Sequence, residues 1–81
     1  MSEIKIGDVV VATAGREMGE HFLVTGVEGN LLNLVNGKAR TLEKPKTKKV
    51  IHVLKVNISG KQELKTNADV RKFLKQISKG D

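Results

Sequence analysis

Short apolar runs dominate the first 56 positions of the chain. Runs rich in Val, Leu and Ile predict β-strands at residues 8–13, 21–27, 31–35 and 50–56. A glycine-bounded loop, Gly15 to Gly19, separates the first two runs, and the turn residues Glu28-Gly29-Asn30 separate the second from the third. Strands this short, joined by such short turns, predict a mainly β fold built as a small antiparallel barrel.

The pair Asn36-Gly37 is the strongest short hairpin signal in the sequence. It predicts a type I′ turn, with residues 38–42 as the returning strand. The following segment, residues 43–49, contains four lysines and Pro45, the single proline of the chain. Because proline cannot donate a hydrogen bond to a strand ladder, we expect this segment to be a loop or an edge strand.

The C-terminal part of the sequence changes from strand to helix periodicity. One helical face carries Val70, Phe73, Leu74 and Ile77. Thr66 can cap the helix, with Asp69 completing a box-like arrangement, and the predicted helix spans residues 67–78. A helix of about three turns is marginal alone, so its apolar face must dock on the outside of the barrel or on another molecule. The strand at residues 8–13 offers a place, since it is apolar on both faces.

The length and composition indicate one domain with a small aliphatic core. The chain has 81 residues, and its aromatic residues are Phe22 and Phe73 alone. We expect the barrel to cover residues 1–58, and a linker and docked helix to cover residues 59–81. No apolar run approaches the ~20 residues that span a bilayer, and no signal peptide is evident. A cytoplasmic protein without a membrane partner is therefore expected.

Residues suited to catalysis or metal binding are sparse. The absence of cysteine excludes disulfides and thiolate metal sites, and the two histidines show no metal-ligand spacing. No serine lies in a context that suggests an activated nucleophile. The sequence therefore predicts a binding protein rather than an enzyme, with no cofactor, no metal and no small-molecule substrate.

Positive charge is concentrated in the second half of the chain. The net charge is +6. Up to Gly37 the chain has two basic residues against five acidic ones, whereas from Lys38 onward it has thirteen against four. A one-sided positive field attracts polyanions, of which nucleic acid is the commonest.

Residues 7–27 resemble a KOW motif. The matching features are Gly7-Asp8, the alternating Val10 and Ala12, Gly15, Gly19 and the apolar strand that ends at Val27. The resemblance implies two strands of an SH3-like barrel, joined by a loop that contacts RNA. Gly15 and Gly19 leave no Cβ to obstruct a phosphate, and Arg16 between them can bind phosphate oxygens or stack on a base. The alternative is a plain structural hairpin.

A wider resemblance covers most of the predicted barrel. Residues 13–16, 36–42 and 44–49, together with His52, are similar in order to the large-subunit ribosomal protein family fourteen-e and its small bacterial relatives. The resemblance implies binding of ribosomal or other structured RNA through barrel loops and basic segments, possible contacts with ribosomal proteins, and a role in translation. This chain departs from the family at Glu17 and Glu20, near a position that is commonly basic.

The residues expected to bind RNA are Gly15, Arg16, Lys38, Arg40, Lys44, Lys46, Lys48, Lys49 and His52. In an extended segment Lys44, Lys46 and Lys48 would share one face and match a row of phosphates. The alternative is an edge strand that lysine and proline protect from aggregation. His52 fits either an RNA contact or a half-buried strand position.

The predicted loops contain no aromatic residue for base stacking. We therefore expect recognition of RNA backbone and shape. The competing hypothesis is a protein-interaction module that docks on a ribosomal or transcription-complex protein, for which Glu17 and Glu20 would suit a basic partner.

Overall fold

The computed structural model describes residues 3–58 and 64–79, apart from the side chain of Lys79. In chain order the elements are β1 (Val9–Ala12), β2 (His21–Glu28), β3 (Leu31–Val35), β4 (Lys46–Lys49), a 3₁₀ turn (Val50–His52), β5 (Val53–Val56) and α1 (Asn67–Lys79). The strands form one antiparallel sheet in the order β4-β3-β2-β1-β5. This confirms the predicted mainly β class, a small barrel-like antiparallel fold followed by a C-terminal helix.

Strand β1 lies inside the sheet, between β2 and β5, and is covered on both faces. Val10 and Ala12 point to one side and Val9 to the other, and all three are buried. A strand buried on both faces needs apolar residues at successive positions, which explains the continuous run at residues 9–12.

Two apolar clusters lie on opposite sides of the sheet. The inner cluster fills the barrel and consists of Val10, Ala12, Phe22, Val24, Leu32, Leu34 and Val53. The outer cluster joins the sheet to the helix and has Val9, Leu23, Val35, Val70 and Leu74 at its centre. The helix therefore packs on the outside of the barrel, which is one of the two alternatives that the sequence left open.

Strand β2 is irregular and pairs with β1 along its first part and with β3 along the rest. It pairs with β1 through residues 21–23 and with β3 through residues 23–28, and the register shifts between Val24 and Gly26. A side chain at Gly26 would collide with Asn33, because its Cβ would lie 2.7 Å from Asn33 Nδ2. Glycine at this position therefore permits the irregularity that bends the strand.

The connection between β3 and β4 differs from the predicted tight hairpin. Residues 36–45 form a wide loop, and the strand that returns is β4, so the predicted strand at residues 38–42 and the type I′ turn at Asn36-Gly37 are wrong. The Asn36 side chain accepts hydrogen bonds from the backbone N–H groups of Lys38 (2.9 Å) and Arg40 (3.0 Å). Side-chain bonds of this kind compete with strand pairing.

Gly37 lies against the first turn of α1. A Cβ there would lie 2.8 Å from Arg71 Cγ and would also collide with the Asn67 carbonyl oxygen. The φ of Gly37 is 77°. The glycine is thus required by the helix that packs on the loop, and no hairpin turn uses it.

The helix begins with the predicted capping box. Thr66 Oγ1 accepts a hydrogen bond from the N–H of Asp69 (3.1 Å), and Asp69 Oδ2 accepts one from the N–H of Thr66 (3.3 Å). This reciprocal pair satisfies two backbone donors at the helix start. It also lowers the pKa of Asp69, because the charged carboxylate accepts bonds from Thr66.

Two further expectations concern the residues between β4 and α1. The predicted strand at residues 50–56 begins only at Val53, because Val50–His52 form the 3₁₀ turn. Within the predicted linker, residues 59–63 lie outside the described part of the chain.

Candidate nucleic-acid interface

The loop between β1 and β2, residues 13–20, is the predicted KOW loop. Gly15 (φ 82°) and Gly19 (φ 89°) both adopt left-handed backbone conformations that only glycine takes readily. The N–H of Gly19 donates to the Ala12 carbonyl (2.8 Å), and the N–H of Met18 donates to the Gly15 carbonyl (3.2 Å). These bonds fold the loop back on itself and place Glu17 at its turn.

Glu17 is the centre of a charged group that we call the loop cluster: Gly15, Glu17, Arg40, Lys46 and Lys48. The Glu17 carboxylate lies 3.2 Å from Lys46 Nζ, 3.7 Å from Lys48 Nζ and 3.9 Å from an Arg40 guanidinium nitrogen. A Cβ on Gly15 would lie 3.4 Å from Lys48 Nζ, so the loop passes directly over this lysine. One carboxylate therefore faces three cations, and the cluster keeps a net positive charge.

The direction of the lysines follows from the register of β4. Lys46 pairs with Leu34 and Lys48 with Leu32, and both leucines belong to the inner cluster. Paired residues share a face of the sheet, so both lysines point to the inner side of the edge strand, where Glu17 meets them.

The predicted row of three lysines is only partly formed. Lys46 and Lys48 share a face, but Lys44 precedes the strand, and its N–H donates to Thr41 Oγ1 (3.2 Å) in a local turn. The prediction that Lys44 lies in line with them is wrong. Lys49 falls on the other face of β4 by strand alternation.

The cations of the loop cluster act on Glu17. Its pKa is lowered, chiefly by the hydrogen bond from Lys46 and further by the positive charges of Lys46 and Lys48. Glu17 therefore remains a carboxylate at neutral pH. It supplies an anion of the protein itself to a row of lysines that would otherwise repel one another.

The remaining predicted residues are spread around the cluster. Arg16 is exposed in the β1–β2 loop, and Lys44 is exposed in the β3–β4 loop. His52 is half-buried in the 3₁₀ turn, where its carbonyl accepts a hydrogen bond from the N–H of Thr13 (2.9 Å). That bond ties the 3₁₀ turn to the start of the β1–β2 loop.

Lys38 lies apart from the loop cluster, in a groove between the barrel and α1. This helix groove has a volume of about 530 Å³. Its walls are formed by Gly19, Glu20, His21, Asn36, Lys38, Arg71, Lys72, Leu74, Lys75 and Ser78. The predicted RNA-binding residues are thus divided between two basic places joined by the β3–β4 loop.

The partners that complete these two places were not predicted from the sequence. Glu17 is a departure from the family pattern, but nothing in the sequence indicated that it would meet Lys46 and Lys48 across the barrel. The groove cations Arg71, Lys72 and Lys75 were also not predicted, because the periodicity of the C-terminal segment indicates only which face of the helix is apolar. A lysine pair at i and i+3 on the polar side of an amphipathic helix was the available signal.

Other features of the described residues are limited. No helix there is long and apolar enough to cross a membrane. No three metal-ligating side chains come together in residues 3–58 and 64–79.

Comparison of the sequence with protein-family models gave no match, and comparison with curated proteins gave no significant similarity.

Proposed function

We propose that this chain is an RNA-binding protein that recognises the backbone and shape of folded RNA, in association with the ribosome or translation. The observation that carries the proposal is the gathering of Arg40, Lys46 and Lys48 beside the glycine-bounded loop, with Arg16 and Lys44 exposed on the adjoining loops. The resemblance to KOW proteins supports the same conclusion and suggests ribosomal RNA. Both lines favour contact with phosphates over contact with bases.

Phosphate recognition predicts a steep dependence of affinity on salt. Each neutralised phosphate should contribute about 0.9 to the slope of log affinity against log salt on duplex, and about 0.7 on single strands. A labelled RNA hairpin titrated by fluorescence anisotropy from about 50 to about 200 mM salt measures this slope. Binding that does not respond to salt, or the absence of binding, contradicts the proposal.

The exposed cations on the loops beside the cluster give the sharpest variant. R16Q/K44Q removes two charges without touching the lysines that hold Glu17, so the fold should be unaffected. We expect weaker binding and a slope shallower by about 0.7 to 0.9 for each phosphate that is no longer bound. The matched control is K5Q/K65Q, which removes two exposed lysines outside both the loop cluster and the helix groove. If the two variants had equal affinities and equal salt slopes, the effect would come from net charge alone and not from the positions of the cations.

A protein-interaction module is the second candidate function. It is favoured by two apolar side chains near the 3₁₀ turn, Ile51 and Leu54, which are 77% and 63% exposed. A ribosomal or transcription-complex protein could cover them. Pull-down before and after nuclease treatment separates the two candidates. A protein that binds directly is still recovered after the nuclease, and its recovery falls when Ile51 and Leu54 are replaced.

A further inference from the structure

The helix groove is strongly basic, although its helical wall was not among the predicted RNA-binding residues. Among the described residues, four cations line it, namely Lys38, Arg71, Lys72 and Lys75, against one carboxylate, that of Glu20. Lys38, Lys72 and Lys75 are exposed. The contact of α1 with the barrel is made by other residues, the apolar side chains of the outer cluster. These lysines are therefore not needed to hold the helix in place.

The two walls of the groove are held at a fixed distance. Arg71 Nη1 donates to the Gly37 carbonyl (2.6 Å), and Asn67 Oδ1 accepts from the N–H of Leu42 (2.8 Å). Asn67 Nδ2 also donates to Glu43 (3.0 Å). The β3–β4 loop, which carries Lys38, is thus fastened to the helix that carries Lys72 and Lys75. These bonds hold the backbone positions of the three lysines relative to one another, so the loop and the helix need little reordering when an anion binds.

The spacing of the cations suits a chain of phosphates. Lys72 and Lys75 are three residues apart on the helix, which places their Cβ atoms about 5–6 Å from each other. Lys38 approaches from the opposite wall. Asn36 and Ser78 add neutral polar groups that can bond to phosphate or ribose oxygens.

The groove also continues the basic surface of the loop cluster. Lys38 in the groove and Arg40 in the cluster are separated by one residue of the same loop. The β1–β2 loop contributes a glutamate to each place, Glu17 to the cluster and Glu20 to the groove. A single extended polyanion can therefore contact both places in succession.

We infer that the helix groove is a second RNA-contact site, which binds consecutive backbone phosphates of the same RNA through Lys38, Lys72 and Lys75. The inference rests on the proposed RNA-binding function and extends it to the C-terminal helix. Arg71 is a positioning residue, because its guanidinium holds the Gly37 carbonyl and so fixes the wall that carries Lys38. The open shape of the groove and its cations on both walls favour a polymer backbone over a small anion.

The test compares K72Q/K75Q with K5Q/K65Q and the unchanged protein, all titrated with the same labelled RNA hairpin over the salt series. Glutamine forms helices nearly as well as lysine, and far-UV circular dichroism checks that α1 is retained. We expect K72Q/K75Q to bind about 25- to 60-fold more weakly at 0.1 M salt, with a slope shallower by about 1.4 to 1.8. The control K5Q/K65Q should change far less.

The outcomes separate this inference from the proposed function. If the unchanged protein does not bind RNA, both fail. If it binds, and K72Q/K75Q titrates like K5Q/K65Q, the groove inference is overturned while the proposed function stands. If K72Q/K75Q binds RNA normally but loses binding to a poly-glutamate peptide, the groove serves an acidic protein and the inference is again overturned.

A second measurement does not depend on any variant. Addition of the RNA hairpin to isotopically labelled protein should shift the backbone amide signals of Lys38, Lys72 and Lys75. The signal of Lys65, which precedes the helix and lies outside the groove, is the internal reference. Shifts confined to the β1–β2 loop and β4 would overturn the inference.

Discussion

Glu17 already pairs with Lys46 and Lys48, the two lysines of β4 that belong to the loop cluster. Its side chain is 16% exposed and that of Lys48 only 10% exposed, so this pair is more shielded from solvent than an ordinary surface ion pair. A carboxylate among three cations occupies the kind of position that a phosphate oxygen would take in a complex. If the chain binds RNA as proposed, Glu17 competes with the RNA phosphates for these cations.

Replacing Glu17 with glutamine should raise RNA affinity. E17Q frees Arg40, Lys46 and Lys48 for phosphates, and each additional phosphate bound should raise the affinity by about 5- to 8-fold at 0.1 M salt. The control is E28Q, which removes the same charge from an exposed position at the end of β2. An anisotropy titration that finds equal affinities for E17Q and E28Q would show that the cluster does not bind the RNA.

The same residue predicts how stability depends on pH. The pKa of Glu17 is lowered in the folded state by Lys46, so its stabilising effect is complete above its ordinary value of 4.5 and is lost as the pH falls through the lowered value. We expect thermal unfolding midpoints measured through this acid range to fall more steeply for the unchanged protein than for E17Q. Parallel curves for the two proteins would contradict this account of Glu17.

Among the elements, the β3–β4 loop is the part of the barrel that is hydrogen-bonded to α1. Its conformation is set by Asn36 within the loop and by Asn67 and Arg71 from α1. The hydrogen bond from Asn67 also lowers the pKa of Glu43, which indicates that this contact favours the charged carboxylate. The loop and the first helical turn therefore form one structural unit.

The unit is tested at Gly37. G37A introduces a Cβ into the backbone of α1 at a φ of 77°. The matched control is G29A, where φ is 61° and no atom lies within 4 Å of the new Cβ. The left-handed backbone alone should cost about 1–2 kcal/mol in both variants, and overpacking should add about 1–3 kcal/mol in G37A. Equal losses in urea denaturation would mean that the loop does not depend on the helix.

The elements predicted correctly from the sequence are those set by local signals. Strand β3, the turn before it and the capping box of Thr66 and Asp69 each depend on residues a few positions apart. The loop after Asn36 was predicted wrongly partly because its structure also depends on Arg71, which is 34 residues from Gly37 in sequence.

The candidate site shows the same limit. Lysine-rich residues 46–49 were predicted as a loop or an edge strand, and they form the edge strand β4. That Glu17 meets them, and that Lys38 faces Lys72 and Lys75, follows from tertiary packing. Spacing along the sequence contains no information about either contact.

The whole molecule has two apolar layers that share strand β1. Val9 belongs to the outer cluster and Val10 to the inner one, so neither layer can lose β1 without disturbing the other. A chain of 81 residues is expected to have a free energy of unfolding of about 4–12 kcal/mol. We therefore expect the helix and the barrel to unfold together in one cooperative transition.

Leu74 tests this cooperativity from the helix side. It is 6% exposed in the outer cluster, and L74A should reduce the free energy of unfolding of the entire chain by about 2–5 kcal/mol. The control is L54A, the same substitution at a side chain that is 63% exposed, where the loss should be within about 0.5 kcal/mol. Both substitutions delete the same atoms, so the difference between them reports on burial in the outer cluster.

The two phenylalanine rings allow the unfolding of the two layers to be followed separately. Their NMR signals are easily assigned, because the only other aromatic rings in the sequence are those of two histidines. Phe22 lies in the inner cluster and Phe73 packs against the outer one, so their ring NMR signals report on the two layers separately during urea denaturation. In L74A both signals should disappear at one shared, lower midpoint. If the Phe73 signal disappeared at a lower urea concentration while the Phe22 signal kept the midpoint of the unchanged protein, the helix would unfold independently of the barrel. The fixed walls of the helix groove could then not be maintained.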